Sequence, residues 1–459
     1  MLRTLTGALL MTAVVAGLLI AGIAVARDRR YQDLVASGNR ALAADQTFAA
    51  IEAFSGALAL KEDSMVAYLR RGEAYRKRGE LDAALRDLRA ATRLDHSALR
   101  PAELLGDVNY DLGRYVKAVE AYRACAAIYD RNARVQYKLG LALYRSGDAA
   151  AAITPLREAV TLDQRLAEAH YVLGLCLKLG NQPAEALRAF ERAVRVAPAL
   201  SAAREELAGL YADTGRMPEA IQQLEAISAL EPDRPERQAA VGLAQARAGH
   251  TDVAVGVLGR AAERYPDNAV IYEALGRVWF EAAERGRDRV GLRKAREALE
   301  PVTRGLAVSG DALALYGRTL VVSGDLVRGE TALRQAAEIL PVAPDTLMWL
   351  ADAADRLKHY PVVRMALERW AALAPVNSAS LPAVYERIGD LSMRMGEPDA
   401  AVKVWRLAAG PAPSPGFLAR LADAELTIGD LAEARRTVSR GLERDPRNPT
   451  LLALQRRLQ

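Results

Sequence analysis

Residues Ala167–Leu200 read AEAHYVLGLCLKLGNQPAEALRAFERAVRVAPAL. Leu173, Gly174 and Leu177 share one helical face by i, i+4 spacing. Gly174 has no side chain, so a second helix packs directly on its backbone. Asn181 ends the first helix, because Asn, like Gly, tolerates the left-handed backbone just past a helix end. Ala186, Phe190 and Ala193 form the apolar face of a second helix, which Pro198 stops. This stretch therefore predicts a helix, a tight turn and an antiparallel second helix.

The unit recurs along the chain. Gly72, Gly106, Gly140 and Gly174 lie 34 residues apart, and so do Ala50, Ala84, Ala118, Ala152, Ala186, Ala220 and Ala254. Large apolar residues follow four positions later, at Phe54, Leu88, Tyr122, Leu156, Phe190, Leu224 and Leu258. Gly79, Gly113, Gly147 and Gly215 take the place of Asn181. A fixed period of this length marks stacked repeats rather than one core. Units start at 31, 65, 99, 133, 167, 201, 235, 269, 310, 344, 382 and 415, and their eighth residue is Gly in nine cases. In the other three it is Ala208, Ala351 or Ala422.

This pattern resembles the tetratricopeptide repeat family over Tyr31–Asn448. The resemblance implies an all-α, right-handed superhelical solenoid of about twelve helix-turn-helix units. The expected layout is a membrane anchor or signal segment at 1–30, repeats at 31–448 and a capping helix at 449–459. The unit from Ala269 is seven residues too long. Its excess, Arg285–Lys294, either extends the helices or protrudes as a basic loop, and reads first as a tolerated surface insertion.

Composition narrows the function. The 459 residues are 51% hydrophobic but 5% aromatic, and 62 basic residues face 57 acidic ones. The charges alternate as on solvated helix faces. A nucleic-acid binder gathers bases beside stacking aromatics, so no nucleic-acid partner is expected. Cys125 and Cys176 belong to no C-x-x-C pair and read as buried thiols. Phosphate-loop, dinucleotide, zinc-protease and nucleophile-elbow motifs are missing. No two of His96, His170, His250 and His359 have ligand spacing. No catalytic residue, metal, cofactor or small-molecule substrate is expected; an enzyme would need a site built across a groove.

The resemblance instead implies protein or peptide recognition on a groove lined by the first helices. Arg70, Arg100, Arg134, Tyr137, Lys138, Tyr144 and Tyr171 are the candidate binding residues, because basic residues and tyrosines coincide there. Asp345, Asp352, Asp355, Glu386, Asp390 and Asp423 make the other end acidic. The Asn of relatives that clamp a C-terminal carboxylate is missing from the sixth position of every unit. An alternative function is assembly or quality control in a cell-envelope pathway, such as lipopolysaccharide, exopolysaccharide or secretion machinery. The chain resembles membrane-anchored repeat proteins that scaffold lipopolysaccharide regulation, without their C-terminal cysteine module.

Thr4–Ala26 holds no charge. As a helix it would extend about 34 Å, against about 30 Å of hydrocarbon core. Ala24-Val25-Ala26 fits a signal-cleavage site, but the run exceeds the usual core of about 7–15 residues, which favours an uncleaved single-pass anchor. Arg27, Arg29 and Arg30 favour a cytoplasmic body by the positive-inside rule. Signal character favours an extracytoplasmic one (periplasmic if bacterial), and that orientation is the expectation. Deleting residues 1–26 is expected to give a soluble chain as helical as the parent, checked by membrane fractionation and circular dichroism. Recovery of the shortened chain in the membrane fraction would sink the anchor.

Overall fold

The structure, a computed structural model, describes the backbone of residues 2–459 except 130, 287, 305–307, 376–377 and 411–412, and the side chains of those residues from 18 onward. The described residues form α-helices and no strand. The chain divides into two compact units, Met1–Gln223 and Leu224–Gln459.

In the first unit helices pack as successive pairs. α1 (Leu2–Ala43) packs on α2 (Thr47–Leu60), α3 (Met65–Lys77) on α4 (Leu81–Leu94), and α5 (Leu99–Asp111) on α6 (Tyr115–Ile128). α7 (Ala133–Arg145) packs on α8 (Ala149–Leu162), and α9 (Ala167–Leu179) on α10 (Pro183–Val196). α11 (Ser201–Asp213) and α12 (Met217–Leu230) follow, and the division between the units falls inside α12. In the second unit α13 (Pro235–Arg247) packs on α14 (Thr251–Arg264), α15 (Ala269–Gly286) on α16 (Arg289–Val302), and α17 (Gly310–Val322) on α18 (Leu326–Glu338). α19 (Pro344–Arg356) packs on α20 (Tyr360–Leu373), α21 (Leu381–Arg394) on α22 (Pro398–Ala408), and α23 (Pro415–Thr427) on α24 (Leu431–Arg444). α25 (Pro449–Arg457) lies against α23 and α24, burying Leu451 and Leu454.

One contact recurs in the pairs whose first helix carries a glycine. A Cβ placed on Gly106 would lie 2.5 Å from the Tyr122 ring, and one on Gly174 would lie 2.6 Å from the Phe190 ring. Gly38 meets Phe54, Gly72 meets Leu88, Gly140 meets Leu156 and Gly242 meets Leu258 in the same way. The large side chain fills the space the glycine leaves, and Ala50, Ala84, Ala118, Ala152, Ala186 and Ala254 close the interface around it, fully buried. The turn inside a pair is set by one left-handed residue. It is Gly147 at φ 91° between α7 and α8, and Asn181 at φ 54° between α9 and α10.

The long unit keeps this contact. α15 has 18 residues, against 13 in α13 and α17. Gly276 still meets its large partner, Leu299. The described part of Arg285–Lys294 is helical on either side of Asp288, whose side chain accepts from Val290 and Gly291 N–H to cap α16. The basic excess is thus drawn into α15 and α16, and Arg287 lies outside the described residues.

The apolar segment Thr4–Ala26 is helical and runs without a break into the part of α1 that packs in the first pair. Most of its side chains, up to residue 17, lie outside the described residues; Leu18, Leu19, Ile20 and Ile23 are exposed. Among the described residues no helix is long and apolar enough to cross a membrane.

The glycine contact gives a paired prediction. Gly140→Ala puts a methyl group against Leu156 and is expected to destabilise the chain by about 1–3 kcal/mol, the usual cost of overpacking. Gly209→Ala, in mid-helix with nothing within 4 Å of the new carbon, is expected to stabilise by about 1 kcal/mol, the helix-propensity difference. Thermal and urea unfolding of both variants checks the opposite signs.

Candidate protein-binding face

First helices of successive pairs touch, as α3 does α5 and α7 does α9. On their shared face, a carboxylate on one first helix pairs with a cation on the next. Arg100 of α5 bridges Glu73 of α3 and Glu103 of its own helix, each at 3.1 Å. Lys138 of α7 holds Glu103 at 2.5 Å and Asp107 at 2.8 Å. Arg76 of α3 holds Asp107 at 3.1 Å and Asp111 at 2.8 Å. In the second unit Arg387 holds Asp355 at 2.9 Å, Arg420 holds Glu386 and Asp390, and Arg457 holds Asp423 at 3.0 Å. A period of 34 residues sets equivalent positions side by side, so such partners lie between 27 and 35 residues apart.

This pairing changes what the candidate residues can do. Arg70 and Arg100 line one cleft of about 470 Å³ with Arg76, Lys77, Glu73, Asp111, Leu42 and Leu104. Arg70 is already paired with Glu73 at 2.8 Å. Arg134 and Tyr137 line a second cleft, of about 630 Å³, at the start of α7 and α9, with Arg131, Asp163, Leu166 and Glu168. Lys138 lies beneath the face with 17% of its side chain exposed, so it holds acids in place rather than offering a free charge. Tyr144 and Tyr171 line neither cleft. With Tyr110 and Tyr137 they are half-buried and pack on one core cluster shared by α6 to α12. Tyr171 leans on Phe190 at 6.0 Å between ring centres.

The acids under the face are tuned by these contacts. Burial pushes the Glu103 carboxyl up, but the hydrogen bond and charge of Lys138, with Arg100, outweigh it and hold the group below its ordinary 4.5. Burial, helped by the charge and hydrogen bond of Asp107, raises the Tyr122 phenol above its usual range; its hydroxyl donates to Asp107 at 2.7 Å. Burial pushes Cys125 up to about 12 and Cys176 to about 11, so both remain protonated thiols. Among the described residues no three His, Cys, Asp or Glu side chains group as a metal site needs.

The sequence reading passed over Arg318. On α17 its guanidinium lies 5.1 Å from the Phe280 ring of α15 and 5.1 Å from the Trp349 ring of α19. Its Nε is buried without a hydrogen-bond partner. The available signal was the pair of aromatics on the neighbouring first helices.

The Glu103 network predicts an acid-sensitive contribution. Because its folded pKa is depressed, its stabilisation is fully present above the ordinary carboxylate value and is lost as pH falls through the folded one. Glu103→Gln is expected to cost about 1.5–3 kcal/mol at neutral pH, the range for hydrogen bonds to charged groups. The gap from the parent should shrink below pH 4.5. Urea unfolding across pH reads it, and a gap that does not change with pH contradicts the network.

Comparison with known proteins agrees with the repeat. The family described as Tetratricopeptide repeat matches residues 180–244 and 387–449, and that described as Bacterial transcriptional activator domain matches residues 29–195. The small glutamine-rich tetratricopeptide repeat-containing protein 2 of Mycosarcoma maydis is 36% identical over 92 residues, 20% of this chain. The match spans about a quarter of that relative, 26% of its length. Similar solved structures include MamA, at 25% identity and TM-score 0.34 over 35% of this chain and 95% of that one. YrrB, described as a TPR protein with an unusual peptide-binding site, is 24% identical at TM-score 0.36, over 40% and 95%. Pseudomonas aeruginosa pilF is 25% identical at TM-score 0.37, over 45% and 94%. The two tetratricopeptide family matches, with the 34-residue period and the glycine-packed hairpins, show that the chain carries tetratricopeptide repeats.

Proposed function

We propose that the chain is a non-enzymatic scaffold that holds a protein or peptide segment on the face of its first helices. The observation that carries this reading is the row of half-buried tyrosines, Tyr110, Tyr137, Tyr144 and Tyr171, beside the cleft of Arg134. Each ring is fixed by the core on one side and half open on the other. Such rigid, amphipathic surfaces lose little entropy when a partner covers them, which is why Tyr and Arg dominate interface energetics. The ion pairs of Arg70, Arg100 and Lys138 leave the face nearly neutral, so the tyrosines supply affinity and Arg134 steers. The fitting partner is a segment with apolar anchors and an acidic residue.

Residues 1–30 tether this body to a membrane as a single-pass anchor, or export it, with the repeats on the extracytoplasmic side. The uncharged run Thr4–Ala26 and its helical continuity with α1 support this reading.

Selecting a displayed random-peptide library on the chain supplies ligands for the test. Tyr137→Ala is expected to weaken the selected peptides by about 2 kcal/mol, roughly thirtyfold, mainly through faster dissociation. Arg134→Glu is expected to slow association and reduce its salt dependence. If both variants bind like the parent while substitutions at Asp352, Asp355 or Asp390 abolish binding, the site lies in the second unit and this reading fails.

A further inference from the structure

We propose that Arg289, Arg293 and Arg296 of α16 form a second binding site, for an acidic polypeptide segment in extended conformation. The site is separate from the face of the first helices, since α16 is the second helix of its pair. The three arginines line a cleft of about 600 Å³ with Leu292 and the turn Val322-Ser323-Gly324 between α17 and α18.

Charge is the first argument. The two clefts of the first-helix face mix cations with carboxylates, Glu73 and Asp111 in one, Asp163 and Glu168 in the other. The cleft on α16 has no carboxylate in its lining. Arg289 and Arg296 have no ion pair among the described residues, and Arg293 reaches Glu297 only at 3.7 Å. The nearby acids are otherwise engaged. Asp288 caps α16, Asp325 caps α18 and faces Arg328, and Glu300 pairs with Arg304 and Arg328. Three cations gathered with only the distant Glu297 as counter-charge repel one another, and an anion between them relieves that repulsion.

Spacing and lining select the kind of anion. At 1.5 Å of rise per residue, Arg289 and Arg293 stand about 6 Å apart along α16, and Arg296 about 4.5 Å further on. Side chains on one side of an extended peptide recur every second residue, about 6.7 Å apart. Two acidic residues with one between them therefore match the first two arginines, and the long third side chain reaches a following carboxylate. Leu292 and the exposed Val322 offer apolar contact to the rest of the segment. No aromatic side chain lines the cleft, so it lacks the stacking platform that single-stranded nucleic acid uses. Lys294 is held over the Trp279 ring at 4.2 Å.

The test uses the full chain and a fluorescent peptide of alternating Glu and Ser, which lacks the apolar anchors that the tyrosine face needs, with a Lys-for-Glu peptide as control. The parent is expected to bind the acidic peptide in a salt-dependent manner and to ignore the basic one. The triple variant Arg289→Gln, Arg293→Gln, Arg296→Gln is expected to lose at least tenfold in affinity with helicity and melting midpoint unchanged. Tyr137→Ala, on the other face, is expected to leave this binding intact. The proposal is overturned if the triple variant binds like the parent, or if Tyr137→Ala rather than the triple variant removes binding. It is also overturned if inorganic phosphate, an oligonucleotide or vesicles of anionic lipid bind at these arginines while the peptide does not.

Discussion

A glycine on a first helix and a large side chain on the second set the distance at which the two helices of a pair pack. With no Cβ in the way, the ring of Phe190 or the branched end of Leu156 reaches the backbone opposite. The close approach brings the alanines of the second helix into the same interface, where their short side chains leave no gap. Neighbouring pairs then stack through what remains apolar, so stability in such arrays comes from adjacent contacts rather than one central core. The long unit shows how firmly this constraint holds. Seven more residues separate Gly276 from its partner, yet Leu299 occupies the same place, because the added chain becomes helix.

Regular stacking also determines the electrostatics. Equivalent positions of successive first helices lie side by side, so a carboxylate and a cation about one period apart become neighbours. Lys138 with Glu103 and Arg420 with Asp390 are the same arrangement in the two units. The exposed ones, such as Arg420 with Asp390, contribute little stability, about 0–1 kcal/mol each, unlike the largely buried Lys138 and Glu103. The larger effect of the exposed pairs is to remove charge from the binding face. What remains for recognition is aromatic surface and arginines that form no ion pair among the described residues, such as Arg134 and Arg318 on first helices and Arg289 and Arg296 on α16.

These pairings explain where the reading of the site from sequence fell short. Counting basic residues at face positions gave an excess around Arg70, Arg100 and Lys138, but a count along the chain does not register a carboxylate brought alongside from the next repeat. Tyr137, Tyr144 and Tyr171 are half-buried against a shared core cluster, a setting that packing of neighbouring pairs decides. Arg318 escaped notice because its environment, Phe280 on one side and Trp349 on the other, exists only when three first helices are adjacent. The basic insertion was legible as an excess of residues with two outcomes open, a longer helix or a protruding loop, and its described part takes the first.

The sequence by itself determined the hairpin and its repetition. Those depend on local chemistry: Gly or Asn where the backbone turns left-handed, Gly opposite a large side chain, and Pro where a helix must stop. Such preferences act within one period and are readable wherever they recur. Tertiary structure decided which charges survive on the surface, which tyrosines share one core, and which cleft has no carboxylate in its lining. These properties belong to side chains one or two repeats apart, and their ionic and packing energies depend on distance in space, which the order of residues does not supply.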